Sequence, residues 1–501
     1  MPDDTAAVSR ANDNPYLRLG VRPFINCASV RTIHGGSLIR PEVRAAMTRA
    51  ATQFVNIYEL MEAAGRRIAE LTGAEAAIVT PGSAAAVCLG TAGAIAGNDP
   101  ERIARLPRTE GMRNKVLMAT DHRFIYDHAI RMVGAQIVEY ASADQLARLV
   151  QDPAVAMICV YGKVEQGGAV PFETIVELAH ARAIPVMVDA ASEHIERPCP
   201  WLTRGADMVV YSGGKFLQGP QVSGLLLGKA SCIRAAWANA SPHQGIGRPM
   251  KVSKEDIIGV VTALEYWFAE RDHAAEGATW QADLETIAKR LSAAGGVETS
   301  IRPPAGAVKV PLLVISWDRA KWPVNALELR ERLLNNEPRI MLDDCDVTAS
   351  SITIDPFNLE PGEAALIGDA VARALATDAV AAKAAAPSVQ IGGTWELTLD
   401  FADGPAVHSL VLTQDGSDVK GRHQSRYWNN EAAGHVADDR LQVQAVHRYE
   451  GCLLAYTFEG VVADGTMTGT VTLGTGREPH LGPVNFSQYG TASFAGRRTA
   501  T

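Results

Sequence analysis

The sequence predicts an α/β domain built on a mostly parallel sheet, followed by a small α+β domain and a C-terminal antiparallel β-barrel or sandwich. Between residues 66 and 270, short apolar runs alternate with amphipathic segments, as in proteins whose buried parallel strands are connected by helices. After residue 391 the pattern changes to short strands of alternating polarity, separated by turn sequences such as DG and ADD.

The large domain, assigned to residues 51–275, contains the strands that matter for function. Its predicted strands are EAAIVT, KVLMAT, AQIVEY, VAMICVYG, PVMVDAA, ADMVVYS and SGLLLG, and helices such as PFETIVELAHARA lie between them. Sheets of this kind bind ligands at the carboxyl ends of their strands. The residues that follow the strands should therefore meet at one rim: Ser83, His122, Asp189 and Lys215.

The remaining segments have simpler patterns. Residues 1–50 form an N-terminal segment, which the resemblance described below implies lines the active site. Residues 276–376 form a small α+β domain, and residues 377–390 an Ala-rich linker. Residues 391–501 form the barrel-like domain, in which Trp395 is expected in the core and the pair Asn429–Asn430 is interpreted as a turn.

Composition excludes several classes of protein. The net charge is −9 and no basic block is visible, which argues against a nucleic-acid partner. The first twenty residues are polar, and no apolar run approaches the roughly 20 residues that span a bilayer. The seven cysteines are far apart and form no C-x-x-C pair, so we expect a cytoplasmic protein without disulfides or a metal site.

Two rim positions suit an anion and a cation. Gly82 and Ser83 open a helix, where free N–H groups and the helix dipole bind phosphate, although a serine there can also be a plain helix cap. Asp189 ends an apolar strand, and a buried carboxylate needs a donor. A protonated pyridine nitrogen would serve; the alternative is an aspartate satisfied by its own turn.

Lys215 lies in the glycine-rich segment SGGKFLQGPQVSG, which is either a surface turn or a loop that keeps an amine accessible. A lysine at this rim can bind a carbonyl covalently and act as a base. Ser212 can donate to the same phosphate as Ser83. The ring of His122 can stack on a flat cofactor, with Tyr126 and His128 as rivals; alternatively, it is a hydrogen-bonded loop histidine.

These features, in this order, resemble the fold-type I enzymes of pyridoxal phosphate (PLP), the aspartate aminotransferase superfamily. The segment SGGKFLQGPQVSGLLLGK resembles the lysine segment of bacterial selenocysteine synthase and its relatives. Other segments are similar to the D-glucosaminate-6-phosphate ammonia-lyase type: LGVRPFINCASVRTIHGGSLIRPEVRAAM, ELTGAEAAIVTPGSAAA, IPVMVDAASE and GIGRPMKVSKEDIIGVVTALE. The resemblance covers roughly residues 15–375 and leaves the barrel-like domain unassigned.

The resemblance implies a PLP cofactor and a role for each rim residue. Lys215 would carry PLP, Asp189 would pair with its ring nitrogen, and His122 would stack on the ring. The phosphate would be held by Gly82, Ser83, Ala84 and Ser212. The substrate mouth would be lined by Asn26, Arg31, Thr32 and His34.

The resemblance also implies a homodimer or a larger homo-oligomer. Gly247, Arg248 and Lys251 would approach the neighbouring subunit's phosphate or the substrate; alternatively, they form a solvated basic loop. Many fold-type I aminotransferases have a carboxylate-binding arginine late in the small domain. Here Arg339 is the only arginine in EPRIMLDDCDVTASSITIDPFNL, beside Asp343, Asp344 and Asp346, which disfavours transamination of a dicarboxylate.

The expected function is a PLP-dependent lyase. It would remove the Cα proton and the β-hydroxyl of a hydroxylated amino acid or amino sugar acid, giving a 2-oxo acid and ammonia. The alternatives are a racemase or epimerase using His122 or Tyr126 as its second acid/base, and then an aldolase. A selenium transferase is disfavoured by the acidic charge. A regulatory or scaffold protein is disfavoured by the presence of both Lys215 and Asp189.

Overall fold

The computed structural model describes residues 14–293, 295–344, 346–377, 386–475 and 489–499. The chain divides into two compact units, one formed by residues 1–343 and 347–377 and the other by 344–346 and 378–501. The first thirteen residues of the predicted N-terminal segment and most of the predicted linker lie outside the described residues. Within the described residues, no helix is long and apolar enough to cross a membrane.

The first unit contains both α/β and α+β parts. Its strands are β1 (Ile25–Cys27), β2 (Ala76–Thr80), β3 (Lys115–Ala119), β4 (Gln136–Tyr140), β5 (Val155–Tyr161), β6 (Val186–Asp189), β7 (Met208–Ser212), β8 (Gly224–Gly228), β9 (Val297–Arg302), β10 (Leu312–Trp317), β11 (Ile340–Leu342) and β12 (Ser351–Ile354). Strands β2 to β8 form a seven-stranded sheet in the order β2-β8-β7-β6-β5-β3-β4.

The large sheet confirms the predicted mostly parallel topology. Only β8 runs antiparallel to its neighbours β2 and β7 within this sheet. The strands β5 to β8 are buried almost throughout because helices cover both faces, which explains their continuous apolar sequences. The carboxyl ends of β2, β3, β6 and β7 therefore lie along one edge.

Helices connect and cover these strands. They are α1 (Pro15–Arg18), α2 (Pro41–Ala50), α3 (Ile57–Thr72), α4 (Ser83–Ala96), α5 (Pro100–Arg105), α6 (His128–Arg131), α7 (Ala143–Leu149), α8 (Phe172–His180), α9 (Pro200–Thr203), α10 (Ala230–Asn239), α11 (Lys254–Ala269), α12 (His273–Ser292), α13 (Ala326–Asn335) and α14 (Glu363–Ala376). Short 3-10 helices span Thr32–His34, Thr120–His122, Ile125–Asp127 and Gly162–Gly167. Helix α4 is buried over most of its length, and a Cβ at Gly93 would lie 2.7 Å from the backbone nitrogen of Ala236 in α10.

The α+β part has two small sheets. Strands β12, β10 and β9 form an antiparallel sheet, and β1 pairs in parallel with β11. The sequence pattern did not reveal β9, whose residues alternate between half-buried and exposed positions. A single apolar core joins these strands to α12, α13 and α14.

The second unit contains a closed eight-stranded antiparallel barrel. Its strands are β13 (Gly393–Phe401), β14 (Gly404–Asp415), β15 (Asp418–Gln424), β16 (Asn429–Ala437), β17 (Arg440–Tyr449), β18 (Cys452–Ala463), β19 (Thr466–Thr475) and β20 (Thr491–Arg498). This confirms the barrel rather than the sandwich, and Trp395 is fully buried in its core. The interpretation of Asn429–Asn430 as a turn was wrong, because these residues begin β16.

Three histidines form a hydrogen-bonded chain inside this barrel. The Nδ1 atom of His408 lies 2.8 Å from Nε2 of His423, and Nδ1 of His423 lies 2.9 Å from Nε2 of His447. All three are buried. Because His423 uses both ring nitrogens on its neighbours, the rings form a line rather than converging on one point. Among the described residues, no group of His, Cys, Asp and Glu side chains is arranged to hold a metal ion.

Candidate active site

The register of three neighbouring strands brings two predicted phosphate ligands together. Gly224, the first residue of β8, pairs with Thr80 of β2 on one side and with Ser212 of β7 on the other. Ser83 follows Thr80 after two residues. The structure therefore places Ser83 and Ser212 on either side of Gly224; their binding of one phosphate stays a prediction.

Glycines allow β8 and the start of α4 to approach closely at this point. A Cβ added at Gly224 would overlap the carbonyl carbon of Gly82 and lie 2.6 Å from the backbone nitrogen of Ser83. Gly82 is the N-cap of α4, with φ +93°, and no side chain caps the helix. Ser83 is the first helical residue and not the cap, so the N–H groups of Ser83 and Ala84 are left available to an anion.

Lys215 is partly buried at the same rim, and its Nζ donates to the Ser192 hydroxyl at 3.1 Å. Burial lowers the pKa of Lys215, and the nearby Lys163 lowers it further, while Asp189 opposes the shift. The environment therefore favours a neutral amine more than water does. That is the form that can act as a nucleophile or a base.

Asp189 ends β6 and is only 4% exposed. Its Oδ1 accepts the backbone N–H of Ala191 at 3.0 Å. Burial raises the pKa of Asp189, although that N–H and Lys215 favour the charged form. In the described part of the chain, no basic side chain lies within ion-pair distance of this carboxylate, so it has capacity for a cationic donor from a ligand.

His122 lies at the end of β3 in a 3-10 helix and is buried. Its Nδ1 accepts the backbone N–H of Tyr161 at 3.4 Å. Tyr161 ends β5 and is in register with Asp189, which places His122 near the rim. The rival Tyr126 is 48% exposed, and His128 begins α6. Stacking of His122 on a cofactor stays a prediction.

The N-terminal segment contacts the lysine loop, defined here as residues 213–219. The hydroxyl of Ser37 donates to the Lys215 carbonyl at 2.8 Å, and the Thr32 carbonyl accepts from Gln221, just beyond this loop, at 3.0 Å. His34 packs edge-to-face on Phe24, with the ring centroids 5.6 Å apart.

Other mouth candidates are engaged elsewhere. The side chain of Asn26 stabilises its own turn, donating to the Ser29 carbonyl and accepting from the Ala28 N–H, both at 2.9 Å. Arg31 forms an ion pair with the buried Asp343.

The cations outside the rim behave differently. The guanidinium of Arg339 bonds to the carbonyls of Leu334 at 3.0 Å and Arg22 at 2.9 Å, so it is committed to the backbone. Gly247, Arg248 and Lys251 follow α10, and within the described chain no hydrogen bond joins them to the lysine loop. Their role towards a neighbouring subunit stays a prediction.

Sequence reasoning missed three residues that contact the rim. Ser192 accepts from Lys215, and Tyr161 lies beside Ser192. Ser37 holds the main chain of Lys215. Ser192 could have been found, since it follows Asp189 by three residues in VMVDAAS. The pairing of Ser37 with residue 215 spans 178 positions and leaves no local sequence signal.

Comparison with known proteins agrees with this geometry. Residues 42–299, about half of the sequence, match the family described as Aminotransferase class-V. This chain belongs to that family. The aminotransferase class-V enzymes depend on PLP, so PLP is the cofactor of this chain.

Two curated relatives and one solved structure are similar to this class-V chain. D-glucosaminate-6-phosphate ammonia lyase of Salmonella typhimurium is 32% identical over 364 residues, covering 71% of this chain and 96% of the relative. The 5'-C-glycyluridine monooxygenase-decarboxylase of a Streptomyces species is 31% identical over 369 residues, covering 70% and 90%. A solved D-glucosaminate-6-phosphate ammonia-lyase has a TM-score of 0.66 at 31% identity, covering 72% of this chain and 98% of that one.

These matches confirm the predicted fold-type I class and its likeness to the ammonia-lyase type. The relatives are matched over nearly their whole length, but close to three tenths of this chain has no counterpart in those matches. This chain therefore carries substantial sequence beyond the shared class-V enzyme.

Proposed function

We propose that this chain is a PLP-dependent ammonia-lyase acting on a 2-amino-3-hydroxy acid of the amino sugar acid class. The observation that carries the proposal is the partly buried Lys215 amine beside Ser192 and Asp189, at a rim where α4 begins without a side-chain cap. The 32% identity with an enzyme named D-glucosaminate-6-phosphate ammonia lyase supports this substrate class.

The rim residues suit PLP. In our proposal Lys215 would hold PLP through its amine, and the Asp189 carboxylate would pair with the protonated ring nitrogen. The N–H groups of Ser83 and Ala84 and the hydroxyls of Ser83 and Ser212 would hold the phosphate at the start of α4, which β8 can approach closely because residue 224 is a glycine. When bound, PLP supplies an electron sink that weakens the bonds at Cα of the substrate.

Lys215 then acts as the base. Burial and Lys163 lower its pKa, so a larger fraction of the amine is neutral and able to take the Cα proton. Ser192 fixes the direction of the amine through its hydroxyl. The substrate loses its β-hydroxyl as water, and addition of one water at C2 then releases ammonia. The products, a 3-deoxy-2-oxo acid and ammonia, together have the atoms of the substrate.

The direct test is ammonia release by the PLP-loaded protein from a panel of D- and L-2-amino-3-hydroxy acids, including D-glucosaminate with and without a 6-phosphate. We expect ammonia and a 2-oxo acid in equal amounts from at least one member. Lys215→Ala should abolish both this activity and the visible absorbance of bound PLP. Lys229→Ala, which changes an exposed lysine paired with Asp207, should retain both.

Other outcomes would contradict the proposal in recognisable ways. Solvent deuterium entering Cα without ammonia release would identify a racemase, and an aldehyde product would identify an aldolase. Consumption of O2 with release of CO2 would favour chemistry like that named for the Streptomyces relative, which is 31% identical to this chain. Absence of a PLP absorbance band from the wild-type protein would remove the basis for Lys215 as the cofactor-binding residue.

A further inference from the structure

A buried arginine, Arg271, hydrogen-bonds to the main chain directly after Lys215. The Nη1 of Arg271 donates to the carbonyl of Phe216, the next residue after Lys215, at 2.6 Å. Phe216 itself is 5% exposed. Arg271 lies just after the end of α11, so this bond links that end of the helix to the loop that carries Lys215.

Arg271 is itself fixed in place. Its Nε donates to Glu276 at 2.6 Å, and its guanidinium lies over the ring of Trp267, 4.6 Å from the centroid. Its side chain is 3% exposed. A buried cation is tolerated only when it is paired and hydrogen-bonded, so these contacts hold the guanidinium in one position.

The side chain of Phe216 is held by a second residue from the rim. The ring of His194 stacks on it, with the centroids 4.2 Å apart and the planes 22° from parallel. His194 Nδ1 accepts the N–H of Lys309 at 3.4 Å. Burial, with Arg271 nearby, lowers the pKa of His194 to about 3, so the ring is neutral at physiological pH and does not repel the guanidinium.

The lysine loop needs such a brace because its own sequence gives little rigidity. Gly213, Gly214 and Gly219 flank Lys215, and glycine leaves the backbone free to adopt many conformations. Lys215 also has a long flexible stem. Contacts on the other side of the loop hold its ends: the Ser37 hydroxyl donates to the Lys215 carbonyl at 2.8 Å, and the Arg40 N–H donates to the Gln218 carbonyl at 3.1 Å. Arg271 is the described contact that holds the carbonyl of Phe216, directly after the reactive lysine.

We infer that Arg271 and His194 are positioning residues for Lys215: by fixing the backbone and ring of Phe216, they keep the amine at Ser192 in the buried rim. Neither residue touches the reacting atoms. The inference rests on the proposed role of Lys215 as the cofactor-binding amine. It explains why the Lys215 amine is already in place before PLP binds.

The test compares Arg271→Met, Arg271→Lys and the wild type. In the PLP-free protein, the rate at which Lys215 reacts with trinitrobenzenesulfonate is followed against pH by peptide mass spectrometry. In the Met variant the amine should move towards solvent, and its apparent pKa should rise towards the usual lysine value. The holoprotein should also release PLP at least about tenfold faster, the scale expected for loss of one charge-assisted hydrogen bond. Lysine at 271 should restore part of both properties.

Arg204→Met is the matched control. Arg204 also pairs through Nε with a carboxylate, Glu173 at 2.7 Å, and lies over the rings of Phe172 and Trp201. No bond to the lysine loop is lost in this variant. We expect wild-type values for the titration of Lys215 and for PLP release.

A second variant keeps the test decisive if Arg271→Met fails to fold. Phe216→Leu keeps an apolar side chain but loses the stacking on His194, and it should shift the Lys215 titration in the same direction. Wild-type titration of Lys215 and wild-type PLP release in folded Arg271→Met would overturn the inference. If Arg271→Met does not fold, the same two results in both of the single variants Phe216→Leu and Arg271→Lys would overturn it. Failure of the proposed function looks different, because Lys215→Ala would then retain the PLP absorbance.

Discussion

At the scale of single residues, burial acts in opposite directions on the two central groups. It lowers the pKa of Lys215 and raises that of Asp189, since the charged form of each loses solvation. Each therefore gains from a ligand that matches it: an electrophilic carbon for the amine and a protonated ring nitrogen for the carboxylate. This complementarity is the reason for proposing that two residues 26 positions apart serve one cofactor.

Replacing Asp189 by asparagine tests the carboxylate alone. Asparagine keeps the shape and the bond from Ala191, but it cannot stabilise a protonated ring nitrogen electrostatically. We expect PLP to remain bound while kcat falls by about 10²–10³-fold, the range for loss of one preorganised electrostatic group. Asp152→Asn, a half-buried site paired with Lys115 and remote in sequence from the rim residues, is the control and should behave as wild type. Steady-state kinetics with full kcat in Asp189→Asn would contradict the assignment.

At the scale of elements, the anion site depends on the close approach of β8 to the start of α4. Gly224→Ala would place a Cβ 2.6 Å from the Ser83 nitrogen, and the backbone there must move. We expect at least about a tenfold loss of PLP affinity, measured by fluorescence titration, since the displaced N–H groups no longer converge on the phosphate.

Gly277→Ala is the matched control for this substitution. Gly277 lies within α12, and a Cβ there would meet no atom within 4 Å. The change should leave PLP affinity unchanged and stabilise the protein by up to about 1 kcal/mol, because alanine favours the helix. Equal PLP affinity in Gly224→Ala and Gly277→Ala would show that the phosphate lies elsewhere.

The elements that sequence reasoning predicted are those with strong local patterns. Strand β6 is apolar throughout and ends at an aspartate, so its type and its functional end were both visible. Strand β16 was missed because NNEAAGHVA begins with two turn-forming residues and contains few β-branched ones; its position depends on the neighbouring ladders of β15 and β17. The brace of Arg271 on Phe216 spans 55 positions and arises only when the chain folds.

At the scale of the whole molecule, the barrel's histidine chain predicts sensitivity to acid. Burial lowers the pKa of His408 to about 4 and of His423 to about 3, and it lowers that of His447 as well. The unfolded chain, with ordinary histidines near pKa 6.5, binds more protons between about pH 4 and 6.5. Stability of the barrel should therefore fall as the pH drops through this window, by at least about 3 kcal/mol from pH 7 to 4.5.

Hydrogen exchange of peptides from β13 and β14 in the full-length protein measures this change locally. The control variant is His423→Phe, which removes the central ring of the chain while keeping an aromatic group in the core. It should show a weaker loss of protection on acidification than the wild type. A wild-type barrel whose protection is equal at pH 7 and 4.5 would contradict the expectation.

Assembly can be tested through shared sites. If Arg248 reaches the active site of a neighbouring subunit in a homodimer, Lys215→Ala and Arg248→Ala proteins should each be inactive alone. After mixing and subunit exchange, half of the dimers are hybrids with one intact site, and activity should recover to about a quarter of wild type. No recovery in dimers that mass spectrometry shows to have exchanged would place Arg248 at its own subunit's site, or at none.

The pairing of β13 with β20 makes the barrel a ring of strands in which every neighbour in sequence is also a neighbour in space. Its first and last strands are adjacent: Trp395 pairs with Arg498, and the N–H of Thr499 bonds to the Thr394 carbonyl at 2.9 Å. A circular permutation that opened a hairpin turn and joined these two ends would preserve all the ladders. The barrel architecture therefore does not determine which of its strands comes first along the chain.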